Sequence, residues 1–81
     1  MKNNVIIIFI TCSSKKEAGV ITGALLKKRL VACANIVDNI SSKFWWRGKI
    51  DKARESLVMV KTCAHRFPEI EREVKLSLIH I

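Results

Sequence analysis

The run Val5-Ile6-Ile7-Ile8-Phe9-Ile10 constrains this chain more than any other stretch. It is apolar throughout, almost wholly β-branched, and of strand length, as expected of a strand buried on both faces or at the centre of a sheet. A strand over about residues 4–11 must therefore be covered by other parts of the chain. The run is far too short to cross a membrane, and it lacks the longer apolar region and small-residue cleavage site of a signal peptide. With 81 residues the chain makes one small domain, and a two-layer core of that size is marginal. Burying further surface in an oligomer is a natural source of extra stability.

Thr11-Cys12-Ser13-Ser14 breaks the run, and Ser14-Lys15-Lys16-Glu17 forms a capping box. In that motif the serine oxygen accepts from the N3 amide while the glutamate reaches back to the cap. Ala18, Ile21, Leu25, Leu26 and Leu30 follow at helical spacing, which predicts a helix from residue 15 to about 31. Gly19 and Gly23, four apart within it, weaken the helix and are expected to mark close approach to a strand. A second strand is expected from about Cys33 to Trp46, irregular at Asp38-Asn39. Arg47-Gly48-Lys49 supplies a turn in which Gly48 takes a positive φ at low cost. The return strand covers residues 55–62, with an exposed charged lead-in, Asp51-Lys52-Ala53-Arg54. A second helix starts near Arg66, with Pro68 in its first turn, where the missing amide would be unbonded. Phe67, Ile70 and Val74 form its sheet-facing stripe.

The order strand, helix, strand, strand, helix indicates an α+β domain. One more strand would complete the βαββαβ unit of the ferredoxin-like fold. That strand pairs beside the first one, and without it Val5–Ile10 becomes an exposed apolar edge. The net charge of +8, from fifteen Lys/Arg against seven Asp/Glu, is scattered along the chain and reads as a solvated surface. RNA-recognition domains share this strand order but place aromatics on strands one and three. Here Leu57–Val60 is aliphatic and the tryptophans fall on strand two, so neither a nucleic-acid nor a membrane partner is expected. Cys12, Cys33 and Cys63 form no CxxC pair, which points to a reducing compartment and a cytoplasmic location. No Ser/His/Asp set, phosphate-cradling glycine loop or HExxH is present, so the chain does not read as an enzyme.

Two motifs then point to a family. Leu30-Val31-Ala32-Cys33-Ala34-Asn35-Ile36 resembles the Leu-Ala-Ala-Cys-Val-Asn-Ile signature of the CutA divalent-cation tolerance proteins. Phe44-Trp45-Trp46-Arg47-Gly48-Lys49-Ile50 is similar to their Tyr-x-Trp-x-Gly-x-Ile motif, with Phe44 in place of the tyrosine and Trp46 in the tryptophan position. Glu55, Lys61-Thr62 and Thr11 also match. The resemblance implies a single CutA-like domain over residues 1–75, ferredoxin-like but lacking its last strand. It also implies a homotrimer related in architecture to the PII signalling proteins, and binding of copper or another divalent cation in metal tolerance. An alternative implied function is a PII-like signalling or interaction module that binds a small anion at subunit clefts. The departure is at 76–81, where the family continues with His-(Pro/Ser)-Tyr-x-x-Pro-Glu and this chain reads Leu-Ser-Leu-Ile-His-Ile. That peptide is what the transposase end of a common sequencing adapter encodes in one frame, so 76–81 is expected to be a non-native tail.

Cys33 is the first metal-ligand candidate, because a thiolate suits Cu(I) or Zn and the family cysteine falls there. The bland alternative is a small buried apolar residue at a strand start. Antiparallel topology puts Cys33 and Cys63 at one end of the sheet and Cys12 at the other. Cys63 and His65 are therefore candidates to complete a three-ligand site. Trp45 and Trp46, on opposite faces of a strand, are expected to pack in core or interface together with Phe44 and the Gly48 turn. Lys61 either pairs with Glu55, extends outward, or binds an anion.

Overall fold

The computed structural model describes residues 4–79. Strand β1 (Val5–Cys12) is followed by helix α1 (Lys15–Lys27), β2 (Cys33–Trp46), β3 (Lys49–Cys63), a short 3-10 turn (Ala64–Arg66) and α2 (Phe67–Ile79). The expected element order stands. The sheet order is β1-β3-β2, with β3 antiparallel to both neighbours. Both helices lie on one face, giving an α+β domain with the ferredoxin-like order up to its fifth element.

Helix α1 begins at the expected cap, Ser14, but Glu17 reaches back to Ser13 and not to the cap amide. The Glu17 amide donates to Ser14 Oγ, and the Ser13 amide and hydroxyl donate to the Glu17 carboxylate. It ends earlier than the spacing predicts. The Arg29 amide donates to Leu26 O and the Leu30 amide to Leu25 O, while Arg29 adopts φ 56°. This is a Schellman ending with a left-handed residue just past the cap Lys28, a position that usually carries glycine. Leu30 continues the apolar stripe and is buried, but it packs from beyond the helix.

The core lies between the helices and one sheet face. Ala18, Ile21 and Leu25 from α1 and Ile70 from α2 meet Val58 and Val60 of β3, with Leu30 and Val31 at the helix exit. Thr62, also buried, donates its hydroxyl to Leu30 O at 2.6 Å and ties β3 to that exit. Val74 packs at the edge of the core, whereas Phe67 is exposed. Pro68 lies in the first turn of α2, as expected, and the helix runs on through Leu76–Ile79. His80 and Ile81 lie outside the described residues.

Three expectations are corrected. First, β1 is the edge strand expected in the absence of the last strand, but its burial alternates, so it is covered on one face and not on both. Ile6, Ile8, Ile10 and Cys12 face the helices, while Val5, Ile7 and Phe9 project from the opposite, uncovered face. Phe9 is 63% exposed. The continuous apolar run signals an open second face rather than a buried one. Second, Gly19 and Gly23 make no close approach, since a Cβ at either would meet no atom within 4 Å. Third, Phe67 is exposed and stands outside the sheet-facing stripe of α2. Of the two places expected for Trp45 and Trp46, core or interface, this chain offers no core. Beyond Val37, β2 and β3 continue as a two-stranded arm without helical cover, leaving the tryptophans 73% and 56% exposed.

The arm is set off by the expected irregularity. Register slips between Val37 and Ile40, with Asn39 at φ 64°. Asp38 accepts from the buried Ser56 hydroxyl at 2.7 Å, and Arg54 donates to Asn39 Oδ1 at 2.7 Å. A β-bulge of this kind bends the ribbon and increases its twist. Arg47 and Gly48, both with positive φ, close the arm between paired Trp46 and Lys49, the conformation of a two-residue hairpin loop.

Candidate functional site

The Cys33 motif and the Lys61-Thr62 pair meet at the end of the sheet where β1 and β2 begin and β3 finishes, while the Phe44–Ile50 motif forms the tip of the arm. Cys33 pairs with Lys61, and Lys61 pairs on its other side with Ile7. Cys63 pairs with Val5, two residues further along the same strand. Side chains two apart share a face, so Cys33, Lys61 and Cys63 all sit on the uncovered face. Diagonal neighbours of this kind have Cα atoms roughly 7–8 Å apart, beyond ordinary disulfide reach. Both thiols are free and half-buried.

Cys12 lies at the opposite end, paired with Ser56 and buried beneath α1. Burial pushes its thiol above the ordinary range, with the carboxylates of Glu17 and Glu55 adding to the effect. It therefore stays a neutral apolar plug. The expected separation of the three cysteines is what the register shows. His65 is carried by the 3-10 turn after Cys63. Among the described residues no three His, Cys, Asp or Glu side chains converge to hold a metal. Cys33, Cys63 and His65 are thus neighbours in the fold but not a three-ligand set within one chain.

Lys61 extends outward and is exposed. It makes no ion pair with Glu55, which lies six residues back along the strand. Among the described residues the one ion pair is Lys28–Glu73, at 2.7 Å, which joins the two helices. Arg47 stands over the Trp46 ring, 5.5 Å from its centroid, a cation–π contact at the tip of the arm. Phe44, Trp45, Trp46 and Ile50 leave this arm with a large exposed apolar surface.

A cavity of about 250 Å³ opens at the same strand end as Cys63. Val5, Leu30 and Val31 contribute to its wall, with Arg29, Lys61 and Arg66 around them. Sequence reading does not find Arg29 or Arg66 here. The left-handed turn that delivers Arg29 has no glycine to announce it, and Arg66 comes from a segment 37 residues away in sequence.

Residues 6–79 match the family described as CutA1 divalent ion tolerance protein. Divalent-cation tolerance protein CutA of Archaeoglobus fulgidus is 48% identical over 84% of this chain and 66% of its own length. The protein of the same name from Thermus thermophilus is 39% identical over 85% of this chain and 67% of its own. The solved structure of the periplasmic divalent cation tolerance protein CutA from Archaeoglobus fulgidus superposes with a TM-score of 0.86 at 44% identity. That superposition covers 91% of this chain and 72% of the other. The chain thus spans about two thirds of the length of these curated relatives. Matching motifs, topology and similarity over most of this chain together place it in the CutA1 divalent ion tolerance family.

Proposed function

We propose that this protein is a metal-responsive protein that binds copper or another divalent cation through Cys33 and acts in metal tolerance as a homotrimer. The observation that carries the reading is the pair of free, half-buried thiols, Cys33 and Cys63, on the uncovered face at one end of the sheet. Soft thiolate ligands select copper and zinc over harder cations. Since no three ligands converge within one chain among the described residues, the remaining ligands come from a neighbouring copy. The open sheet face, with Ile7, Phe9 and Val37, and the aromatic arm supply apolar surface for that neighbour. An extended apolar face of this kind commonly marks an interaction surface. No reaction is assigned, because nothing in the site resembles a nucleophile with its base.

Titration of the intact chain with Cu(I), Cu(II) and Zn(II) tests the metal reading. Cys33→Ser is expected to lower stoichiometry or weaken affinity about tenfold or more; unchanged binding counts against Cys33. Sedimentation equilibrium tests the trimer, and a monodisperse monomer refutes it. We further propose a cytoplasmic location on the strength of three unpaired cysteines. Cell fractionation combined with thiol labelling checks that placement against the periplasm named for the Archaeoglobus relative.

A further inference from the structure

We propose that the helix-side face of the β2–β3 arm docks on an anionic lipid surface and holds the protein at a membrane without crossing it. The arm has two unlike faces. Strand β3 runs unbroken from the body into the arm, and Ser56, Val58 and Val60 are its helix-covered residues. Side chains two apart share a face, so Arg54, Lys52 and Ile50 continue that side beyond the helices. Their partners past the bulge are Ser41, Lys43 and Trp45. The other side carries Phe44 and Trp46 opposite Asp51 and Lys49 and continues the open sheet face, the side for a neighbouring copy. Dispersed along the sequence, these charges point to no membrane partner; the fold gathers them on one face.

Lys43, Trp45, Ile50, Lys52 and Arg54 are all exposed, and between the bulge and the turn no carboxylate stands on their face. From the tip inward the order is apolar, then cationic. Trp45 and Ile50 are direct cross-strand partners, 73% and 65% exposed. Lys43 and Lys52 form the next pair on that face, and Arg54 lies behind them. That layering matches a bilayer boundary, where tryptophan rests at headgroup level and basic side chains meet lipid phosphates. The Lys43–Lys52 pair is a second observation. Like charges directly opposite each other destabilise a ladder, and the one ion pair among the described residues lies elsewhere, between Lys28 and Glu73. The placement costs the fold and suits an anion outside it. The molecule measures 47 Å along its long axis against 25 and 21 Å across, so the arm meets a flat surface ahead of the body. A second copy of this face would set cation against cation. A nucleic-acid platform stacks successive bases on successive aromatics, and this face has Trp45 alone. No helix among the described residues is long and apolar enough to cross a bilayer, so the attachment is to the surface. The inference goes beyond the metal reading and does not depend on it, since none of these side chains is a thiol or an imidazole.

Flotation of the full chain with lipid vesicles tests the proposal. Binding is expected on phosphatidylcholine vesicles containing about one third phosphatidylserine, far less on pure phosphatidylcholine, and it should fall as salt is raised. Lys43→Gln and Lys52→Gln should each weaken binding about fivefold, the effect of one cation near an anionic surface, while Lys43→Arg should keep it. Trp45→Ala should weaken it too, whereas Trp46→Phe, on the other face, should not. In the Trp46→Phe protein Trp45 is the sole tryptophan, so its emission should shift to the blue on the vesicles and be quenched by brominated acyl chains. The proposal is overturned if the parent does not bind the anionic vesicles, if pure phosphatidylcholine binds as well, or if Trp45 is not quenched. It is equally overturned if a single-stranded oligonucleotide binds more tightly than the vesicles, or if the lysine substitutions change the sedimentation mass and leave vesicle affinity untouched.

Discussion

Replacing Gly19 and Gly23 by alanine should stabilise the protein. Both lie inside the thirteen-residue helix α1 with exposed side-chain positions. Neither has a positive φ, and a Cβ built at either meets no atom within 4 Å. The substitution therefore carries no steric penalty and gains the intrinsic difference between alanine and glycine, about 1 kcal/mol at each site. Part of that gain comes from restricting the unfolded chain. The two sites are neighbours one turn apart on the helix, so the double variant should gain about 1–2 kcal/mol, with full additivity not required. For a domain of this size each kilocalorie raises Tm by about 4–8 °C. Circular-dichroism melts and urea titrations, at one fixed protein concentration, measure the gain directly. The midpoint should rise with the urea m-value unchanged. A lower midpoint would refute the reasoning, because it would mean that this helix face is covered in the assembled protein and has no room for a methyl group.

Removing the Ser14 cap by Ser14→Ala should cost about 1 kcal/mol, readable in the same melts, whereas Ser14→Asp should keep most of it. An alanine variant as stable as the parent would show that the capping contacts contribute nothing. Cys12 is 1% exposed with its thiol held above the ordinary range, so thiol reagents should label Cys33 and Cys63 well before Cys12. Because the folded value is raised, stability at this group is complete below the ordinary thiol range and declines as pH climbs toward the folded value. Equal labelling rates at all three cysteines would contradict that placement. The Ser56 hydrogen bond, with the Asn39 amide and the Lys15 charge, holds Asp38 below the usual aspartate range. Its contribution is therefore present above the unfolded value and lost as pH falls through the folded one. Asp38→Asn should flatten the acid side of the stability profile, and a carbon-detected NMR titration should find Asp38 ionising below the ordinary aspartate value. A midpoint at or above that value would remove the argument.

Much of the candidate site is legible in sequence because it depends on local chemistry. Cys33 opens its strand and Cys63 closes the next, so antiparallel pairing alone brings both to one end. The bulge at Asp38-Asn39 and the turn at Arg47-Gly48 are announced by Asn39 and Gly48, residue types that tolerate left-handed backbone. Arg29 and Arg66 are different. Their meeting depends on where α1 stops, and that stop is a left-handed arginine with no local propensity to mark it. Cys33, Cys63 and His65 show the same limit from the other side. Nearness in topology does not supply the convergence of side chains that a ligand set requires.

Periodicity, caps and turn residues in this chain determine which segments become strands and helices, because those signals act over a few neighbouring residues. They also determine its order, and hence the antiparallel register of β3 between its neighbours. Which faces are covered is decided only by the tertiary arrangement. The run Val5–Ile10 reads as doubly buried, yet helices occupy one side of the sheet and leave Val5, Ile7 and Phe9 bare. Trp45 and Trp46 stand exposed because the arm outruns the helices. Burial is a relation between segments distant in sequence, so composition can register the demand for cover but not the partner that meets it.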